Sequence, residues 1–240
     1  KIIAALYFFD SHIIVENQKI SAYYLYCIGT LPLYRGKGIM TSLLTHTKSL
    51  AKQRGISYLF LLPQTKKLYD FYQKRGFKKF FKKRECLILK NEMEKHSHGL
   101  KPNLSTQLTL HEIYNIRKKF FSLDGNIVWD IDHLNYALKL NELEGGCVVC
   151  SKHGYAICTK PQSSRICIRD FAVENLDDFP QLISNIKAKA NCQMYLFRTL
   201  PSGPLFQNIG IISDHGMIYA VNNTSPLPNV KNPYIGLTME

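Results

Sequence analysis

The chain has 240 residues, 45% of them hydrophobic, at a mean hydropathy of −0.14. That is a folded chain, long enough for one large or two small cores, and it excludes disorder. Its longest unbroken apolar run, Ile2 to Phe9, is far too short for a membrane span, and Asp10-Ser11-His12 after it reads as a turn rather than a signal-peptide cleavage site. The net charge is +13 with a pI near 9.4, and the excess is local: from Lys66 to Arg84 the only acidic residue is Asp70. Such a block draws a phosphorylated cofactor, a nucleic acid or an acidic partner, or else it is a solvated face kept soluble by lysines.

In chain order, "KIIAALYFF" and "HIIVE" predict a short hairpin, and "ISAYYLYCIGTL" a long aromatic strand. Ile39, Leu43, Leu44 and Leu50 recur at helical spacing up to Arg54, with Gly55 at the end. "ISYLFLLP" reads as a strand covered on both faces, and "TKKLYDFYQKRG" as an amphipathic helix closed by Gly76. "FKKFFKK" and "ECLILK" then predict a terminal strand pair.

Residues 91 to 108 lose the hydrophobic period and gather polar residues, Gly and Pro. The domains expected are therefore 1–92 and 109–240, joined by a linker at 93–108. Thr109 and Glu112 form a capping-box pair ahead of a helix whose apolar face is Ile113, Ile116 and Phe120. A second helix follows Asp130 and Asp132. Next come a hairpin over 147–159 turning at Lys152 to Gly154, the strand "RICIRDFAVE", a helix over Asp177 to Lys189, "QMYLFRTL", a short segment through Phe206, and strands around 211–221. The order repeats, with two helices in front of the second copy. Lys1 is not a start methionine, and the first copy's opening helices are expected upstream.

Seven cysteines, an odd number scattered through strands, suit reduced thiols in a cytoplasm better than a disulfide framework. Cys147 and Cys150 make a CxxC, which raises zinc or redox chemistry. They lie in a strand pattern with no second CxxC, so strand cysteines and no metal are the reading favoured.

Residues 30 to 41, "TLPLYRGKGIMT", place Arg35, Gly36, Lys37 and Gly38 between a strand and a helix. A loop entering a helix offers unpaired amides and about half a positive charge from the dipole, which suits phosphate. The spacing is neither a P-loop nor a dinucleotide loop, and alone it fits a basic turn as well as an anion site.

Together with "LYDFYQKRGF", this stretch resembles the GNAT family of N-acetyltransferases. Their acetyl-CoA signature is Arg or Gln, two residues, Gly, one residue, then Gly or Ala; Arg35, Gly38 and Met40 occupy those places, with Met40 departing from the small residue. Pro32 and Arg35 stand where the family's "V-x-P-x-x-R-G-x-G" has Pro and Arg, with Thr30 for its Val. Tyr72-Gln73-Lys74-Arg75-Gly76-Phe77 matches the family's "lYeklGF".

The resemblance covers about residues 1 to 90. It implies an α/β (α+β) fold, a mixed, mostly antiparallel sheet flanked by helices, in two similar domains, the second a degenerate copy in a tandem arrangement. It implies that Ile28 and Thr30 pair with pantetheine, that the amides of Arg35, Gly36, Lys37, Gly38, Ile39, Met40 and Thr41 hold the diphosphate, and that Tyr72 protonates the thiolate, Tyr69 being the lesser candidate. A phenol near pKa 10 suits that transfer.

The reaction implied is direct attack of a primary amine on acetyl-CoA in a ternary complex, without a metal. The acceptor would be a small-molecule or peptide amine, with no membrane partner, nucleic acid disfavoured, and oligomerisation left open. The C-terminal carboxylate of Glu240 is a candidate base, and "NPYIGLTME" reads as a final strand. Cys27 has no His-plus-acid partner nearby in sequence, and His46 reads as a helix residue. In the second half, Glu174, Asp177 and Asp178 at the strand-to-helix junction would repel a diphosphate, so that domain is expected to shape the acceptor site, with Trp129, Tyr136 and Tyr155 as candidates to line it. Two other readings remain: a CoA-binding or ligand-sensing module without catalysis, and a nucleic-acid-associated protein using the basic block.

Overall fold

The computed structural model describes residues 1–206, 208–222 and 227–238. Strand β1 (Ala4–Val15) and β2 (Gln18–Thr30) form one long antiparallel hairpin. Its turn is Glu16-Asn17, both at positive φ (51° and 62°), and not Asp10 to His12, which stays paired within β1. Asn tolerates the left-handed conformation a two-residue hairpin needs, whereas a strand with one wet face accommodates Asp, Ser and His without turning. Along the hairpin, Leu6 faces both Cys27 and Ile28, a bulge that puts Cys27 at φ 48°.

A single 3₁₀ turn at Pro32–Tyr34 leads to helix α1 (Ile39–Gln53), then β3 (Tyr58–Leu61), buried throughout. Helix α2 (Lys66–Gln73) starts at Thr65, whose hydroxyl accepts from the Leu68 amide. Strands β4 (Lys78–Lys79) and β5 (Lys82–Leu89) precede α3 (Lys90–His96) and α4 (Leu110–Phe121), the latter with the expected Thr109–Glu112 capping box. After them come β6 (Ile127–Val128), α5 (Ile131–Leu143), β7 (Cys147–Ser151), β8 (Gly154–Cys158), β9 (Arg165–Val173), α6 (Phe179–Ala190), β10 (Met194–Thr199), β11 (Ile211–Asp214) and β12 (Met217–Ala220). Among the described residues no helix is long and apolar enough to cross a membrane.

Two compact units result, and neither is a continuous piece of chain. One comprises residues 1–82, 124–128 and 214–235; the other 83–123, 129–213 and 236–240. The boundaries expected from composition, 1–92 and 109–240, differ from these at the first break and in the return of 124–128 and 214–235 to the first unit. Strands β4 and β5 do not pair with each other: β4 pairs with β12 and β5 with β10. The expected linker begins inside α3, whose Met93 is fully buried. Strand β6 joins β1. Backbone ladder bonds are generic, so a strand's own residues do not say which sheet it will join. The closing segment around Tyr234, Ile235 and Leu237 is buried but forms no strand within its described residues.

In the first unit the sheet order is β4-β12-β3-β2-β1-β6. Leu44 and Ala51 of α1 and Tyr72 of α2 pack on Tyr23, Leu25, Leu59 and Leu61. Every neighbouring pair is antiparallel except β2 and β3. That parallel pairing is confined to 22–24 against 58–60, and β2 then runs on to Thr30.

In the second unit the order is β11-β5-β10-β9-β8-β7, and its parallel pair is β9 with β10, confined to 165–168 against 194–197. The mixed, mostly antiparallel architecture therefore recurs. Helix α4 is tied to β9 by the buried Arg117–Asp170 pair at 3.2 Å, and the Tyr155 hydroxyl donates to the same carboxylate at 2.5 Å. His133 of α5 stacks on Trp129 at 3.8 Å between ring centres. Burial pushes its pKa down from 6.5 to about 4.

An unfolded chain binds that proton below pH 6.5 while the folded one refuses it down to about 4. Stability is thus present above 6.5 and lost as pH falls through the window, by about 3 kcal/mol from this group. Urea unfolding of His133→Phe, which keeps a ring beside Trp129, should show that much less pH dependence between 7 and 4 than the parent chain. An unchanged dependence would assign the loss to other groups.

Candidate active site

Where β2 continues past its parallel partner, the strand end, the loop, the first turn of α1 and helix α2 enclose a cavity of about 550 Å³. Ile28 and Thr30 come from the strand, Arg35, Gly36 and Gly38 from the loop, Ile39, Met40 and Thr41 from α1, and Tyr72 from α2. These expected site residues are thus brought together around one space. Lys37 stands apart from the lining, its ammonium 5.5 Å from the centre of the Tyr34 ring.

Gly36 and Gly38 both sit at φ 78°, which any L side chain resists, and a Cβ at either would point into open space. The glycines are therefore required by backbone conformation first, and the space they leave is free for a guest. Among the described residues, no amide from Gly36 to Thr41 donates to a backbone carbonyl. The six consecutive N–H groups from Gly36 to Thr41, leading into the 15-residue helix, thus have no backbone acceptor. Arg35 Nε donates to the Thr30 carbonyl at 3.1 Å, holding the loop to the strand end. Met40 is half-buried and packs against the core of its unit while also bordering the cavity.

Tyr72 is only 5% exposed, with its ring edge-on to Phe71 and Phe77 at 5.1 and 5.7 Å. Burial pushes its phenol up to about 12, against the opposing pull of Arg75. The expectation of an ordinary phenol near 10 is corrected accordingly: this hydroxyl keeps its proton across the neutral and mildly alkaline range. Tyr69 accepts a hydrogen bond from the Gly216 amide at 3.2 Å and is not part of the lining. His46 and Cys27 are both exposed.

Sequence reasoning missed Arg75. Its Nε and Nη2 donate to the Thr41 hydroxyl at 3.1 and 2.6 Å, its Nη1 to the Phe71 carbonyl at 2.7 Å, and its guanidinium lies 3.5 Å from the Phe71 ring centre. One side chain thereby ties the first turn of α1 to α2. The available signal was its position three residues after Tyr72, in the turn that ends the helix, but a run of lysines masked it. Part of that run is neutralised: Lys79 and Lys82 reach Asp214 at 2.8 and 3.1 Å.

The corresponding place in the second unit is filled. Phe171, Phe179, Phe197 and Phe206 crowd together where the β9–β10 pairing ends at Phe197, with ring centres 4.8 to 6.3 Å apart. Helix α6 opens on Phe179-Pro180, where proline has no N–H to offer, after Glu174, Asp177 and Asp178. Trp129 and Tyr155 are core residues, at 2% and 0% exposure, and do not line a site; Tyr136 is exposed. Cys147 and Cys150 lie three apart on β7, so their side chains leave opposite faces. Cys147 instead pairs in register with Cys158, whose thiol donates to it and lowers its pKa to about 7. Glu240, the candidate base, lies outside the described residues.

A short parallel pair beside a glycine loop that opens a helix defines the mixed α/β fold of this unit. Residues 1–80, a third of the chain, match the model of the acetyltransferase (GNAT) domain. No curated protein matches the chain in sequence. Among solved structures the chain is similar to a GCN5-related N-acetyltransferase from Kribbella flavida (TM-score 0.69, 12% identity, covering 92% of this chain and 58% of that one). It is similar to another from Anabaena variabilis (TM-score 0.70, 17% identity, 92% and 61%) and to Eis1 from Mycobacterium abscessus (TM-score 0.65, 12% identity, 92% and 63%). The chain thus spans about three fifths of the length of these structures, and at such identities the likeness is one of fold.

Proposed function

We propose that the chain is an acyl-CoA-dependent N-acyltransferase that moves an acetyl group from acetyl-CoA to a primary amine by direct attack in a ternary complex. The observation that carries the reading is that the glycine loop and first turn of α1, whose amides from Gly36 to Thr41 have no backbone acceptor, line the same cavity as the buried Tyr72. Backbone amides at a helix start suit a diphosphate, and Arg35 and Lys37 add charge without steric demands at the loop. Past Tyr24 the edge of β2 has no β3 partner, which leaves groups at Ile28 and Thr30 for the amides of a pantetheine arm. The thioester supplies an activated carbonyl.

The amine nitrogen forms the new C–N bond as the C–S bond breaks. Tyr72 hands its proton to the departing sulfur, and the proton shed by the amine restores the phenol. A phenol at about 12 is a weak acid for an ordinary thiol in water. The desolvation that raises it raises a thiol as well, as Cys86 at about 11 illustrates, so the two remain matched inside the cleft.

The second unit we read as a degenerate GNAT domain without a CoA site, on the strength of its four packed phenylalanines and its acidic, proline-opened helix. The seven free cysteines support a reducing compartment such as the cytoplasm. The test is thiol release from acetyl-CoA with a panel of small and peptidic primary amines, alongside calorimetry with CoA. Turnover with one CoA per chain is the expected result. CoA binding without turnover on any amine would favour a sensing module, and two CoA sites per chain would overturn the degenerate assignment.

A further inference from the structure

The second unit holds a larger cavity, about 640 Å³, that the transfer reaction does not use. It lies against one face of the β9–β10 sheet, opposite the face that Ile166, Ile168, Tyr195 and Phe197 turn to the core. Strand alternation puts Arg165, Cys167 and Arg169 of β9 on this face beside Met194, Leu196 and Arg198 of β10. Ladder register sets Met194 next to Arg165 and Leu196 next to Cys167, and Arg169 and Arg198, each one residue past the last ladder pair, line the same cavity. Lys160 completes the cationic rim.

The carboxylates nearby do not balance this charge. Glu144 is the one acid in the lining and already meets Arg169 at 3.3 Å. Glu85 is shared, accepting from Arg198 at 3.0 Å and from Lys83 at 2.8 Å. Among the described residues no acidic partner is present for Lys160 or Arg165. Three guanidiniums on one sheet face repel each other, and their forked donors match carboxylate and phosphate oxygens two at a time. Between them the floor is apolar, from Cys167, Met194 and Leu196, and suits the carbon body of a ligand rather than a bare ion.

We propose that this cavity is a binding site for a small organic anion carrying at least two phosphate or carboxylate groups, separate from the cleft beside Tyr72. The site does not depend on acyl transfer being the chain's activity.

The experiment is calorimetry on the full chain carrying Gly38→Glu, which removes the competing anion site of the first unit, with inorganic pyrophosphate in one arm and citrate in the other. The arm that binds assigns phosphate or carboxylate as the preferred group. The double variant Lys160→Glu/Arg165→Glu touches two exposed side chains, so its melting temperature without ligand should match its parent. Its affinity for the bound probe should fall at least about tenfold. Binding unaltered in the double variant, or no binding of either probe at millimolar concentration, overturns the assignment.

Discussion

Tyr72→Phe should lower kcat for acetyl transfer about 10²- to 10³-fold while changing the KM for acetyl-CoA by no more than about twofold. The replacement keeps the ring that meets Phe71 and Phe77 edge-on, so packing in the cleft and the melting temperature should hold. What disappears is one hydroxyl that burial keeps protonated up to about pH 12. The sign of the pH dependence follows from that value. A proton donor with so high a pKa is fully charged with its proton from pH 6 to 10, so the parent enzyme's kcat should show no alkaline fall from this group in that range. Steady-state thiol release across that range measures both effects. A kcat within threefold of the parent would remove Tyr72 as the acid while leaving the cleft as a binding site.

Gly38→Glu should weaken CoA binding at least about 100-fold in calorimetry and yet cost the fold little. At φ 78° a side chain carries strain of about 1–2 kcal/mol. An acidic group at the start of α1 offsets part of that by interacting with the helix dipole, worth about 0.3–1 kcal/mol. For an incoming diphosphate both features act the same way: the side chain enters the open space in front of the amides, and its charge repels the ligand. Gly38→Ala separates the two, since it carries the strain without the charge and should lose much less affinity. CoA bound equally well by parent and Glu variant would mean that the diphosphate does not lie against these amides.

Much of this site was legible in the chain itself, because it depends on local conformation. Gly36 and Gly38 mark positive φ, the helical period from Ile39 marks where amides go unspent, and the Tyr72-to-Phe77 run marks the end of the neighbouring helix. Arg75 was not legible as a clamp on Thr41, because the two are 34 positions apart and that contact exists only once α1 and α2 are side by side. The elevated pKa of Tyr72 was likewise hidden, since desolvation comes from neighbours that the spacing of residues does not name.

The division of the chain separates the two kinds of information most sharply. By itself the sequence determined most helices and strands, the glycine loop ahead of α1, the capping box at Thr109 and Glu112, and a repeated strand–helix order, all set by a few adjacent dihedrals and by which faces are apolar. Only the tertiary structure decided that β5 leaves β4 for β10, that β12 and β6 return to the first sheet, and that Asp214 comes to neutralise Lys79 and Lys82. A strand edge offers the same N–H and C=O groups to any partner, so its choice rests on the sum of packing over the whole molecule and leaves no mark on the strand's own residues.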